Sequence, residues 1–308
     1  MTVQHTDERR PLAFIVTRRR KWRFKGKRTL AALLLLVLFL APFLWMVIMS
    51  LRPSMDAFEL TLFFTPTLEA WRQLIAGNFL QPFGNSLMVS VLSTVFSLLL
   101  GVPAAWVLTR WRFRARRYVA LWILVTRMAP PIAFTIPFFL AFRWLGLQDT
   151  VIGLAIIYLT FNLAIVIWLM QTFFAAIPVT LEEAAWMDGC SLWGSFWRVS
   201  LPLVKPGLAA TAILCFIFSW NDFFYALILT RTNAITAPVA IVNFLQYEGW
   251  EWSKIAASGT LVMLPVVGSA AYAVETPMAR PLTAMPRAAA PEITLLNMVF
   301  ISLFLSLK

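Results

Sequence analysis

Three polar side chains that could do chemistry lie inside otherwise apolar stretches: Arg127, Asn221 and Asp222. A charge in the interior of a membrane is costly, so each is a candidate for a translocation path. Arg127 lies just before Pro130 and Pro131, and the alternative is a structural arginine that binds the carbonyls freed by these prolines. Asn221 and Asp222 could equally hydrogen-bond a neighbouring helix.

Motifs for catalysis or nucleotide hydrolysis do not occur in the sequence. There is no phosphate-binding G-x-x-x-x-G-K-[ST] and no G-x-S-x-G. His5 is the single histidine, which rules out an H-E-x-x-H zinc site. Cys190 and Cys215 suggest neither a disulfide framework nor a metal site. We therefore expect a non-catalytic chain without a cofactor, and any energy for uphill transport is expected to come from another subunit.

One stretch between two apolar segments is too charged to lie in lipid. This stretch, residues 181–202, is called the elbow below. Its first half is predicted to be a short helix with Thr180 as its N-cap. Glu182 and Glu183 fall in the first turn, where the helix dipole favours acids, and Gly189 is expected to end the helix. A second helical piece is predicted from Leu192 to Ser200, ending at Pro202. Such a helix–Gly–helix could receive a push from a partner outside the membrane.

The composition sets the environment in which these residues must work. Of the 308 residues, 60% are hydrophobic and 13% are charged, and the mean hydropathy is +0.78. Soluble domains are about 45–50% apolar and about 25% charged, so the sequence predicts an all-α polytopic protein of the lipid bilayer. The net charge is +12, but the basic residues flank apolar segments, which argues against nucleic-acid binding.

Six segments are apolar over roughly the 20 residues that a membrane-spanning helix needs. Several of them contain proline, which predicts kinked helices packed around a central pathway. The segments lie at about 30–51, 85–109, 119–142, 151–175, 205–229 and 255–275, within a membrane domain predicted at 30–275.

The distribution of Lys and Arg predicts the topology. Basic residues are concentrated in the tail 1–29 and in the short loop after the second segment, with Arg110, Arg112, Arg114, Arg116 and Arg117. The positive-inside rule therefore places both termini and the elbow in the cytoplasm. The aromatic-rich loops 52–84 and 230–254 then face outward, where they could contact an extracytoplasmic partner or anchor the chain at the membrane interface.

The elbow has a specific spacing. Glu183-Ala184-Ala185 is followed by three residues, Gly189, nine residues and Val199-Ser200-Leu201-Pro202. This pattern resembles the EAA loop of permease subunits in binding-protein-dependent ABC importers, with Val in place of Ile. Asp188 also fits. Other phrases are similar to the carbohydrate branch, in particular the maltose-type second permease: Phe64-Thr65-Pro66-Thr67, Gly146-Leu147-Gln148-Asp149-Thr150, Phe173-Phe174-Ala175-Ala176-Ile177-Pro178 and Ser219-Trp220-Asn221-Asp222-Phe223.

This resemblance implies a type I ABC importer permease fold with six transmembrane helices in a bacterial inner membrane. The implied partners are two cytoplasmic ATPase subunits, a second permease subunit in a heterodimer and an extracytoplasmic solute-binding protein, which the loop 231–254 would enter. The implied cargo is a sugar, an oligosaccharide or a sugar alcohol. The residues implied to dock on the ATPase are Glu183, Ala184, Ala185, Asp188, Gly189, Leu201 and Pro202.

The sequence also leaves alternatives open. The chain could be an ABC importer permease for a non-sugar solute, an ion-coupled secondary carrier that uses Arg127 and Asp222, or a membrane scaffold without a transport role. The tail 276–308 is atypical for the family. Its first part is rich in Pro and Ala, and its apolar end, 293–307, is short for a span. A change of reading frame near the end of the gene is one hypothesis for it.

Overall fold

The computed structural model describes residues 26–54, 64–128, 130–246 and 249–275. The basic tail up to residue 25 and the atypical tail 276–308 lie outside these ranges, so the predictions made for them stay predictions.

The described chain is helical almost throughout. The helices are α1 Gly26–Ser50, α2 Glu69–Ala76, α3 Leu80–Arg110, α4 Arg116–Met128, α5 Thr135–Trp144, α6 Val151–Ala175, α7 Thr180–Met187, α8 Leu192–Ser195, α9 Leu201–Leu203, α10 Lys205–Trp220, α11 Phe224–Leu229, α12 Ala237–Val242 and α13 Trp252–Glu275. A 3-10 turn covers Pro131–Phe134 and a wider π-helical turn covers Phe196–Ser200. Two short strands, β1 Leu245–Gln246 and β2 Gly249–Trp250, pair antiparallel.

Four helices in the described ranges are long and apolar enough to cross a membrane. They are Thr29–Ser50, Leu80–Arg110, Val151–Ala175 and Trp252–Ala271. A fifth candidate is a pair, Leu192–Leu203 and Lys205–Trp220, bent by 77°. These segments overlap five of the six predicted spans.

Two predicted spans are not single helices. In the segment 119–142, α4 ends at Met128 and Pro130 is extended, with φ −64° and ψ 130°, before the 3-10 turn and α5. Consecutive prolines remove backbone donors and push the preceding residue out of the α region, which explains the break. In the segment 205–229, the break at Asn221 and Asp222 separates α10 from α11. That either broken segment crosses the membrane stays a prediction.

The chain divides into two compact units after Trp45. In the first unit, the apolar side chains of residues 30–45 are exposed along most of the helix, and Phe39 is 77% exposed. A helix with exposed apolar side chains on every face is expected to be covered by lipid or by another protein. We therefore regard this part of α1 as a membrane segment.

The centre of the second unit is formed by α3, α6 and α10. Small residues let these helices approach closely, as is usual in membrane proteins. A Cβ placed on Gly101 of α3 would lie 2.6 Å from a Val166 methyl of α6, and one on Gly207 of α10 would lie 2.4 Å from Cγ of Phe173. The fully buried side chains around these contacts include Trp106, Val166, Met170, Phe174 and Cys215.

We predict that Gly207→Ala destabilises this centre. The new methyl would overlap Phe173 Cγ, which ring rotation cannot move away, and overpacking costs about 1–3 kcal/mol. The melting temperature of the detergent-solubilised protein should fall. Gly268→Ala is the matched control, because no atom lies within 4 Å of its added Cβ and alanine favours a helix. Equal melting temperatures for the two variants would contradict the proposed close approach.

Candidate functional site

The first half of the elbow is helix α7. Glu182 and Glu183 lie in its first turn, as the sequence predicts. The prediction that Thr180 caps the helix is wrong: Thr180 is already helical, Val179 precedes the helix and no side chain caps it. The reason is that helical hydrogen bonding begins earlier. The Leu181 N–H donates to the Pro178 carbonyl at 3.2 Å, and the Glu182 N–H donates to the Val179 carbonyl at 2.9 Å.

Gly189 ends α7, and the structure confirms this prediction. Its φ is +86°, in the left-handed region that favours glycine. The Gly189 N–H donates to the Trp186 carbonyl at 3.0 Å, and the Cys190 N–H donates to the Ala185 carbonyl at 2.9 Å. These two bonds form a Schellman motif. The chain therefore turns sharply at one defined residue, and the direction of α7 is fixed relative to α8.

The second half of the elbow is one irregular helical run. The Ser191 hydroxyl accepts the Gly194 N–H at 3.1 Å and caps α8. The run continues through the π-helical turn to α9. Pro202 lies in the first positions of α9 and does not end the helix before it, because proline is tolerated in a first helical turn. The bend to α10 comes directly after α9.

The structure brings the seven predicted docking residues onto this one elbow. Five of them, in α7, its Gly189 terminus and α9, are exposed: Glu183, Ala184, Asp188, Gly189 and Pro202. Ala185 and Leu201 are half-buried. Met187, at the end of α7, is 88% exposed. The elbow thus offers a face with an acid, small residues and a bare apolar side chain.

Glu182, which the sequence analysis did not select, is the residue that fixes this face. Its side chain is fully buried, and its Oε1 accepts three hydrogen bonds. Arg110 Nε of α3 donates at 2.9 Å, Trp106 Nε1 at 3.3 Å and the Ser200 hydroxyl at 2.6 Å. Arg110 also donates through Nη2 to the Ile177 carbonyl at 3.2 Å. The ion pair therefore joins the elbow, the end of α6 and the cytoplasmic end predicted for α3.

Aromatic side chains enclose the ion pair. The Trp106 ring lies 4.8 Å from Trp111, 5.0 Å from Phe196 and 5.9 Å from Trp193, centroid to centroid. Rings from α3 and from the elbow therefore pack together around the charges. Water is kept from a site of this kind, so its electrostatic attraction is stronger than that of a surface pair.

Two sequence signals could have identified this pair. Glu182 and Glu183 are adjacent, so on a helix they point in directions about 100° apart and cannot both face the partner. Arg110 is the last residue of a long apolar helix. In the topology prediction, Arg110 is one of five arginines of a basic loop.

The three predicted pathway residues are on separate elements. Arg127 lies in α4, just before the break at Pro130. Asn221 and Asp222 form the break between α10 and α11. The Asn221 amide donates to the Ile217 carbonyl at 2.9 Å, and an Asp222 carboxylate oxygen accepts the Tyr225 N–H at 3.1 Å. Asn221 is exposed, and these two contacts are local, so the pair terminates one helix and starts the next. Asp222 also contacts a neighbouring helix, because the Tyr158 hydroxyl of α6 donates to its backbone carbonyl at 3.5 Å.

A buried polar cluster lies between α3, α6 and α10. The Asn162 amide donates to the Ser93 hydroxyl at 2.9 Å and to the Ser219 hydroxyl at 2.7 Å, and the Ser219 hydroxyl donates to that of Ser93 at 3.4 Å. All three side chains are buried. Side-chain hydrogen bonds of this kind hold membrane helices together. Sequence reasoning missed the cluster because single Ser and Asn residues in apolar helices carry no periodic signal.

The elbow is thus exposed on one face and anchored by a buried ion pair to the long apolar helix α3, which is compatible with a membrane transport component. Comparison with known proteins agrees. Residues 97–275 match the family model described as binding-protein-dependent transport system inner membrane component. The match covers the second half of α3 and everything up to α13.

Individual relatives extend the match. The chain is 38% identical over 233 residues to the trehalose transport system permease protein SugB of Mycobacterium tuberculosis, which covers 74% of this chain and 85% of that protein. It is 36% identical over 245 residues to the probable ABC transporter permease protein y4oR of Sinorhizobium fredii, covering 79% and 88%.

Among solved structures, one chain of a bacterial ABC transporter involved in the import of the acidic polysaccharide alginate superposes with a TM-score of 0.68. The identity is 25%, and the superposition covers 81% of this chain and 95% of that chain. The chain therefore belongs to the inner membrane component family of binding-protein-dependent transport systems. The predicted all-α, type I ABC importer permease fold is confirmed.

We predict that Glu182→Gln and Glu183→Gln differ in their effect on stability. The first leaves Arg110, only 7% exposed at its side chain, without a counter-charge, and breaking a buried pair costs about 3–5 kcal/mol. The second changes an exposed side chain. Only Glu182→Gln should lower the melting temperature of the solubilised protein. If Glu182→Gln melts like the wild type, the ion pair does not hold the elbow.

Proposed function

We propose that this chain is the membrane-spanning permease subunit of an ATP-driven importer for a sugar, an oligosaccharide or a sugar alcohol. The observation that carries the proposal is the elbow: an exposed docking helix with a fixed terminus, joined to α3 by a buried ion pair. The trehalose system of one relative and the alginate transporter that shares the fold support a carbohydrate as cargo.

In the proposed mechanism, α7 docks in a groove on a cytoplasmic ATPase subunit. Glu183 pairs there with a basic or amide group, and the small Ala184 and Ala185 permit close approach. Closure of two ATPases pushes on α7. The push passes to α3 through the pair of Glu182 and Arg110, and to α10 through α9, so that the helices rock as rigid bodies between inward- and outward-facing states.

The proposed assembly follows from this mechanism. It contains two ATPase subunits, this chain with a second and different permease subunit, and an extracytoplasmic solute-binding protein that docks on the outer loops. The N-terminus and the elbow lie in the cytoplasm. The chain itself has no enzymatic activity, because ATP is hydrolysed by the separate subunits. Arg127, Asn221 and Asp222 line the path without setting its specificity.

Glu183→Ala should uncouple the permease from its ATPase. Truncating one partner of an interface charge pair costs about 2 kcal/mol or more, so we expect co-purification of the ATPase and uptake of labelled sugar to fall at least about tenfold. Arg112→Gln is the control. It removes an exposed charge from the neighbouring loop after α3 and should leave both measurements unchanged. Intact uptake and ATPase association in Glu183→Ala would refute the docking role.

The energy source separates this proposal from an ion-coupled carrier that uses Arg127 and Asp222. In proteoliposomes that contain the complete transporter, uptake should require ATP and should survive an ionophore that dissipates the proton and sodium gradients. Uptake that collapses with the gradient while ATP is constant would instead favour the carrier. Competition by non-sugar solutes, such as amino acids, tests the remaining alternative within the importer class.

A further inference from the structure

Asp149 lies in the loop between α5 and α6, at the opposite end of α6 from the elbow. Asp149 accepts hydrogen bonds from four consecutive backbone N–H groups. The donors are Arg231 at 2.8 Å, Thr232 at 3.1 Å, Asn233 at 3.0 Å and Ala234 at 3.1 Å. Successive N–H groups that converge in this way form a nest for an anion, and here the anion is a side chain of the same protein.

Two side chains add to the contact. The Thr232 hydroxyl donates to Asp149 Oδ2 at 3.0 Å, and the Asn233 amide donates to the same oxygen at 3.1 Å. Both carboxylate oxygens are therefore occupied by donors from one turn, residues 231–234, which is called the outer turn below. Charge-assisted hydrogen bonds are stronger than neutral ones. A single carboxylate thus binds every N–H group of the outer turn.

Asp149 is itself held in place. Its φ is +56°, a left-handed conformation that few residue types tolerate, and its N–H donates to the Leu229 carbonyl at 2.9 Å. The next residue, Thr150, caps α6 by accepting the Gly153 N–H at 3.0 Å. Partial burial raises the pKa of Asp149, but the four backbone hydrogen bonds lower it further, so the net pKa lies well below that of an ordinary carboxyl group. The Asp149 carboxylate therefore stays charged at any ordinary pH.

The start of α3 holds the outer turn from the other side. Asn85 is buried, and its amide donates to the Asn233 carbonyl at 2.8 Å and to the Ile235 carbonyl at 3.0 Å. The Ser86 hydroxyl accepts the Ala237 N–H at 2.8 Å. Asp149 therefore binds the N–H groups of the turn and α3 binds its Asn233 carbonyl, whereas residues Arg231 and Thr232 are exposed.

We propose that Asp149 is a positioning residue that preorganises the outer turn as part of the surface on which the solute-binding protein docks. The inference rests on the proposed function and on the predicted outward orientation of this loop. A turn that is already fixed loses little conformational entropy when a partner binds, and affinity rises accordingly. The four N–H groups of the turn are bound internally by Asp149, so the partner would contact its exposed side chains, including the cationic Arg231.

Asp149→Asn isolates the carboxylate. Asparagine has the same shape and also tolerates positive φ, but its amide group presents N–H donors to the N–H groups of the turn. We expect the concentration of loaded binding protein that half-maximally stimulates ATP hydrolysis by the complete transporter in nanodiscs to rise at least about tenfold. The basal rate and the maximal stimulated rate should remain. Thr232→Val, which removes only the hydroxyl contact, should have a smaller effect in the same direction.

Asn85→Ser provides a second, independent test if Asp149→Asn does not assemble. It loosens the outer turn from the side of α3 without touching the carboxylate, and it should raise the same half-maximal concentration. An unchanged half-maximal concentration in either assembled variant, or a loss of maximal rate alone, would overturn the inference. A wild-type transporter that no binding protein stimulates would instead overturn the proposed function together with it.

Discussion

A buried carboxylate is stable only while its cationic partner stays beside it. At the predicted cytoplasmic end of the molecule, this requirement fixes how the elbow packs on α3. Glu182 is fully buried and bonded to Arg110, Trp106 and Ser200 through one oxygen. Moving α7 away from α3 would leave an unpaired charge in an aromatic enclosure, which is far more costly than losing a surface contact. The elbow and α3 therefore have to move together, and the exposed face of α7 keeps one orientation relative to the membrane helices.

The same helix is held at both of its ends. Arg110 ends α3 and binds the elbow, whereas Asn85, near its start, binds the outer turn that Asp149 clamps. With 31 residues, α3 is about 46 Å long at the usual rise. Each end is joined by charge-assisted or buried hydrogen bonds to a segment that is distant in sequence. A single continuous helix thus connects two surfaces that are proposed to contact different partners on opposite sides of the membrane.

Local features were predictable from the sequence, and long-range ones were not. The stop at Gly189 and the helices around 85–109 and 151–175 follow from residue type and hydrophobic length, and the structure has them. Arg110, the charged partner of Glu182, lies 72 residues away along the chain, and the outer turn begins 82 residues after Asp149, so no local spacing indicates these contacts. Thr180 is not the cap because backbone hydrogen bonds to the Pro178 and Val179 carbonyls start the helix earlier.

Close packing also limits where the permease can change shape. The contacts of Gly101 with Val166 and of Gly207 with Phe173 leave no space between α3, α6 and α10, and the Asn162 cluster hydrogen-bonds all three helices. Closely packed helices of this kind shift between discrete arrangements and do not deform continuously. A rocking motion would then have to be absorbed where the backbone is already interrupted: before Pro131, at the break after Trp220 and at the 77° bend that leads into α10. Two of these three joints lie beside Arg127 and Asn221 in the chain, so both residues are next to backbone that such a motion would have to bend.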